Sequence, residues 1–271
     1  MEQNEKYIGV FDSGIGGLTV VKSIVRSMPN ENIIYFGDTA HVPYGTRSKE
    51  QITEYVLKDV KFLSIFDIKA VVIACNTADS IAREKVEQLY PLPVFGVVHP
   101  ASRKAALSTV NNKIGIIATN ATVNSGAYEK AICAINPDAE VFSVACPLLV
   151  PLVENGRWRS DDIVVRTVLE EYLAKIRDFG VDTLILGCTH YPLLTEVIGD
   201  VMGPEVTLIN TGAEAAWELK RTLTAADALA ENAEGKTMLY ASDRPSDFGE
   251  LAARFLRQDV PQVLSVDIDS Y

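Results

Sequence analysis

The sequence predicts an α/β protein of two similar domains, each built on a mainly parallel sheet, with reactive groups facing the cleft between them. Short apolar runs rich in Val, Ile, Leu or Phe recur at 32–36, 70–74, 92–98, 141–145, 183–187 and 206–209, as in strands buried on both faces. Segments of helical periodicity separate them, and such alternation implies parallel strands joined by covering helices. The chain also repeats itself. Residues 70–78 read AVVIACNTA and residues 183–191 read TLILGCTHY, each an apolar run ending in a small residue, then Cys, then a polar pair.

The repeat extends to the start of each half. IGVFDSGIGGLTVVKSI at 8–24 resembles IGIIATNATVNSGAYEKAI at 114–132: a strand, a loop rich in Gly, Ser or Thr, then a helix. In the first half Ile52, Tyr55, Val56, Val60 and Leu63 recur at helical spacing, behind a capping box of Ser48 and Gln51. In the second, Ile163, Thr167, Val168, Tyr172 and Ile176 mark a helix entered at Ser160. The chain crosses between halves near 97–101, VVHPA. From about residue 212 it adds a helix (AEAAWELKRTL), a strand (TMLYAS), a helix (DFGELAARFL) and a strand (VLSVDI). That is too little for a third domain, so it is expected to return to the first. The expected division is residues 1–98 plus 212–271, and residues 99–211.

Bulk properties exclude several classes. At 271 residues and about 150 per domain, two domains are expected. A net charge of −11 without a Lys/Arg run argues against a nucleic-acid or anionic-membrane surface. No apolar stretch approaches the roughly 18 residues of a membrane span. The opening MEQNEKYIGVFDSG lacks the basic and apolar regions of a secretory leader, so a cytoplasmic protein is expected. Its four cysteines, Cys75, Cys133, Cys146 and Cys188, include no CxxC pair, and the three histidines supply no zinc spacing. Reduced thiols and no metal are the expectation.

DSGIGG at 12–17 is not a dinucleotide loop, because the third glycine of GxGxxG falls on Thr19, and no GxxxxGK[ST] occurs anywhere. It reads as a strand end opening a helix, with Asp12 and Ser13 at its mouth and backbone N–H groups free to hold a carboxylate. Cys75 and Cys188 each arrive at the carboxyl end of a buried strand, where open α/β sheets present reactive groups to a crevice. A thiol at a helix N-terminus has a depressed pKa, which favours the reactive thiolate. One such cysteine would read equally well as a small core residue, but two in matching contexts suggest opposed bases. Cys133 and Cys146 read as structural. His190 stands two residues from Cys188 and is able to set its protonation state. GDTAHVPYGTRS at 37–48 is a punctuated loop of the kind that carries binding residues.

Together DSGIGG, GDTAHVPYG, ACNTA, ACPLLVPLVENG and GCTHYPLL, in this order and spacing, resemble the bacterial glutamate racemases over nearly the whole chain. The resemblance implies two α/β domains related by pseudo-twofold symmetry with the site between them. It implies cofactor-independent interconversion of L- and D-glutamate, supplying D-glutamate for peptidoglycan, by a homodimer. Cys75 would serve the D enantiomer and Cys188 the L enantiomer, with Asp12, Glu154 and His190 as helpers. Asp12, Ser13, Pro43, Tyr44, Gly45, Asn76, Thr77, Thr119, Thr122, Thr189 and His190 would contact substrate. Ala118 departs from the family's usual Gly, and His41 receives no role.

The residues support the same chemistry without the family. An α-proton is very weakly acidic, and no lysine in the cysteine motifs suggests a pyridoxal Schiff base. Donors from Ser13, Asn76, Thr77 and Thr189 would have to stabilise the carbanion. Two rival readings stand beside this one: an aspartate or hydantoin racemase, and a two-lobed amino-acid-binding protein without catalysis.

Overall fold

Strands and helices alternate throughout the computed structural model, which describes residues 6–231, 234–256 and 259–271. The stretch read for a leader starts in residues 1–5, which lie outside the described residues. The first half runs β1 (Tyr7–Asp12), α1 (Leu18–Ser27), β2 (Asn32–Gly37), α2 (Lys49–Leu63), β3 (Ile68–Ile73), α3 (Asn76–Leu89) and β4 (Val94–Gly96). Helix α4 (Val98–Ser108) crosses to β5 (Lys113–Ala118), α5 (Asn120–Ser125), α6 (Ala127–Cys133), β6 (Glu140–Ala145), α7 (Leu149–Glu154), α8 (Ile163–Phe179), β7 (Thr183–Gly187), α9 (Thr195–Met202) and β8 (Thr207–Asn210). The tail is α10 (Thr211–Ala225), β9 (Thr237–Ala241), α11 (Pro245–Leu256) and β10 (Val263–Ser265).

Two parallel sheets result, ordered β10-β9-β2-β1-β3-β4 and β6-β5-β7-β8. The segment β2-β1-β3-β4 of the first has the same connectivity as the whole of the second. In each, the first strand of the half is flanked by the second and third, so the direction of strand addition reverses beside it. A crevice opens outside the carboxyl ends of the strands at such a reversal. Asp12 ends β1 and Cys75 follows β3; Thr119 follows β5 and Cys188 follows β7. The tail strands β9 and β10 extend the first sheet, β9 pairing with β2.

Both faces of the first sheet are covered. Ile8 and Val10 of β1 join α1, α10 and α11 in one cluster, and Phe11 joins α2 and α3 in another. The first of these clusters continues into the second half through Leu184 and Leu186 of β7 and the buried faces of α8 and α9. A third cluster packs α4 and α6 on β5 and β7.

Three local expectations are corrected. The apolar run at 92–98 is a strand only from Val94 to Gly96, because Val98 already opens α4, its amide donating to buried Asp79 at 2.7 Å. The long helix of the second half is entered at Asp162 rather than Ser160. The Asp162 carboxylate accepts from the amides of Val164 and Val165, whereas Ser160 donates to Glu196. The segment after β5 is two short helices, because Gly126 breaks it at φ +66°, where a glycine meets no Cβ penalty. The capping role of Ser48 is present: its hydroxyl accepts from the Gln51 amide at 3.2 Å.

Candidate active site

Register alone makes the two cysteines equivalent. Phe11 faces Ile73 and Ala118 faces Gly187, so continuing each pairing brings Ser13 beside Cys75 and Thr119 beside Cys188. Both sulfurs face one cavity of about 380 Å³, and each cysteine is 6% exposed. The same cavity is lined by Ser13, Pro43, Tyr44, Gly45, Asn76, Thr77, Thr119, Glu154, Thr189 and His190. Asp12 and Thr122 are not part of its wall. They lie one layer behind, Asp12 accepting from Thr189 Oγ1 at 3.4 Å and Thr122 sharing hydroxyl contacts with Thr77 and Thr119.

The surroundings of the two sulfurs differ. Cys75 is the N-cap residue of α3, and its thiol donates to Ser13 Oγ at 3.5 Å. The position should depress a thiol pKa, but burial dominates, and with the nearby Asp12 charge it pushes Cys75 up to about 12. Cys75 therefore rests as a protonated thiol, burial overriding its place at the helix N-terminus. Cys188 instead has His190 Nδ1 at 3.8 Å from its sulfur, and His190 Nε2 lies 3.1 Å from Glu154 Oε1. Burial pulls the imidazole down, but hydrogen bonds to Cys188 and Glu154 outweigh it and hold His190 at about 10. An imidazolium thus stands where negative charge on the Cys188 sulfur would be stabilised. Burial raises the Asp12 carboxyl, against the opposing charge of His190 and hydrogen bonds from Gly17, Gly14 and Thr189.

Hydrogen-bonding side chains gather on the cavity wall, Asn76, Thr77, Thr119 and Thr189 among them. Asn76 spends its side-chain oxygen on the Tyr128 hydroxyl, while its buried Nδ2 has no partner among the described residues. Beside it the first amides of α3 point out of a helix N-terminus, a natural anion site. Thr77 and Thr119 join the two halves through hydroxyls 2.9 Å apart. No lysine or arginine of the described residues lines this cavity.

Several wall residues escaped sequence reasoning. Val42, Thr46, Asn120, Cys146, Pro147, Val150 and Pro151 also line the cavity. Cys146, read as structural, is fully buried and its thiol donates to Val144 O at 3.7 Å, yet the residue forms part of the wall. The available signal was positional: the amides of Cys146 and Asp38 make the same ladder bond, to Ala118 O and Asp12 O, so Cys146 occupies a strand end like Asp38. Cys133 lies half-buried at the end of α6, outside the cavity wall.

The chain is similar to known proteins over nearly its whole length. The sequence pattern of the Asp/Glu/hydantoin racemase family matches residues 8–219. A glutamate racemase of Geobacter metallireducens is 46% identical over 98% of both chains. The crystal structure of a glutamate racemase from Bacillus anthracis superposes with a TM-score of 0.94 at 40% identity, covering 97% of this chain and 98% of that one. A glutamate racemase from Francisella tularensis, solved in complex with D-glutamate, superposes with a TM-score of 0.92 at 38% identity, covering 99% of this chain and 100% of that one.

Proposed function

The chain belongs to the Asp/Glu/hydantoin racemase family, among its glutamate racemases, and we propose that it interconverts L- and D-glutamate by two-base proton transfer between Cys75 and Cys188, without a cofactor. The observation that carries the reading is the pair of thiols at register-equivalent strand ends, facing one cavity from separate sheets. Starting from L-glutamate, the Cys188 thiolate takes the Cα proton, with the His190 imidazolium beside it and Glu154 holding the ring. Its electron pair passes into the substrate carboxylate. There Asn76 Nδ2, the α3 amides and the hydroxyls of Ser13, Thr77 and Thr189 oppose the growing charge. Cys75, held as a thiol by burial, gives its proton to the opposite face of Cα. In the reverse direction Cys75 is the base, with Asp12 behind it, and Cys188 the acid.

Pro43, Tyr44, Gly45 and Thr119 complete the substrate contacts, and Thr122 orients Thr77 and Thr119 from behind. The division into residues 1–98 plus 212–271 and 99–211, a homodimeric assembly, and a cytoplasmic role in supplying D-glutamate for peptidoglycan belong to the same proposal. No helix among the described residues is long and apolar enough to cross a membrane.

Substrate choice is tested by incubating the protein with L-glutamate and L-aspartate separately and separating the enantiomers. L-Aspartate lacks one methylene, a difference worth roughly 10–200-fold in kcat/KM. D-Glutamate should therefore form faster by that factor. Equal or faster formation of D-aspartate would favour the aspartate-type rival, and no D-product from either would favour the two-lobed binder.

A further inference from the structure

Tyr44 of the cavity wall is held by two buried carboxyls that cannot play the same part. Its oxygen lies 2.6 Å from Asp38 Oδ2 and 3.1 Å from Asp59 Oδ2, and neither aspartate is exposed to solvent. A phenol has one proton to give. Asp38 is the ionised member, because it gathers Tyr44, His41 Nδ1 at 2.8 Å and the Ser242 hydroxyl at 2.8 Å. Asp59 reaches only the Tyr44 oxygen, and its Oδ1 has no partner among the described residues. Ionised, it would be a buried charge with no donor of its own, set near a second carboxylate, an arrangement that desolvation forbids.

We propose that Asp59 is a neutral carboxylic acid that donates its proton to the Tyr44 oxygen, and so acts as a positioning residue for the Pro43–Gly45 wall of the cleft. Burial, with the Asp38 charge second, pushes the Asp59 carboxyl well above the usual carboxylate range, against the Tyr44 hydrogen bond and Lys58. Burial first, with the Asp38 charge beside it, keeps Tyr44 a phenol. The result is a directed chain in which Asp59 donates to Tyr44 and Tyr44 donates to Asp38. Ser242, just beyond β9, and His41, stacked on Tyr55 of α2 at 4.0 Å, fix its far end. The neighbouring Gly45 passes so close to Thr119 that an added Cβ would stand 3.0 Å from the threonine Cβ. Any shift of Tyr44 is thus passed to a wall shared by both halves.

The positioning role rests on the racemase reading, whereas the protonation state does not, so two readouts are needed. Infrared difference spectra of wild type against Asp59→Asn at neutral pH should show a protonated-carboxyl band that shifts in deuterated buffer and is missing from the variant. Asp59→Asn keeps an N–H donor for the Tyr44 oxygen, and both kinetic constants should stay within about threefold of wild type. Asp59→Leu, of similar size without a donor, should raise KM for both glutamate enantiomers about tenfold while kcat changes less than about threefold. Absence of the infrared band overturns the neutral acid, even if Asp59→Leu fails to fold. A band accompanied by an unchanged KM in Asp59→Leu, or by a tenfold loss in Asp59→Asn, overturns the positioning role. A protein that racemised no glutamate at all would leave the infrared result standing and would refute only the activity reading.

Discussion

Replacing Cys75 or Cys188 by alanine should lower racemisation in both directions by at least about a thousandfold, within the roughly 10²–10⁴ that a positioned acid or base contributes per step. Each thiol is the base for one enantiomer and the acid for the other, so neither direction survives the loss of either one. The fold should persist. Each substitution deletes a single small group from a cavity wall, and Cys75 holds no side-chain cap bond on α3. Cys133→Ala, outside the cavity wall, serves as the control and should retain activity with a modest loss of stability, and Cys146→Ala, in the wall but without a proton-transfer role, should retain most of it. Steady-state rates with circular dichroism on all four variants provide the check. A Cys188→Ala protein racemising at near wild-type rate would refute the two-base scheme.

Gly16→Ala should cost about a hundredfold in kcat/KM, the scale expected when reacting groups are displaced by about 1 Å. A Cβ at Gly16 would stand 2.2 Å from Thr189 Oγ1 and 2.5 Å from His190 Nδ1, far inside van der Waals contact. Those side chains belong to the opposite half and flank Cys188, so the collision is relieved by pushing the Cys188–His190 pair away from the loop at 12–17. The same interlock is visible in the Thr19 hydroxyl, which donates to Thr189 O at 2.8 Å. Because the equilibrium constant of a racemisation is unity, the loss should be equal from L- and D-glutamate. Gly199→Ala in α9, outside the cavity wall, is the control, since its Cβ would meet only Leu208 at 3.9 Å, an ordinary contact. Wild-type activity in Gly16→Ala would show that this close approach has no bearing on catalysis.

These two cases also mark what the sequence made legible. Cys75 and Cys188 could be found because a buried parallel strand ending in a small residue and a cysteine is a local pattern, and it occurs twice. The parallel sheets were legible for the same reason: strands buried on both faces read as unbroken apolar runs. Gly16 was not, because its neighbours Thr189 and His190 lie more than 170 residues away and only folding brings them together. Which thiol is protonated was not legible, because a helix N-terminus is visible in sequence, whereas the burial that overrides it at Cys75 is a property of the packed cleft. Cys146 looked like one more core thiol until the strand register set it at a sheet end beside the cavity. Asp12 and Thr122 were legible as neighbours of the candidate site, but not that they lie behind the cavity wall.

The central claim is that two thiols work on opposite faces of one carbon, and isotope labelling tests it most directly. A single base that swings between faces returns the proton it removed. Two bases return a proton drawn from solvent, and the one that received the substrate proton faces only one side. Starting from L-glutamate in deuterated water, nearly every D-glutamate molecule formed in the first turnovers should carry deuterium at Cα, delivered by Cys75. The remaining L-glutamate should carry almost none. Mass spectrometry of both enantiomers after chiral separation reads this out. Substantial protium in the early D product, or equal early labelling of the two enantiomers, would mean that one group does both jobs and would contradict the assignment of Cys75 and Cys188 as opposed bases.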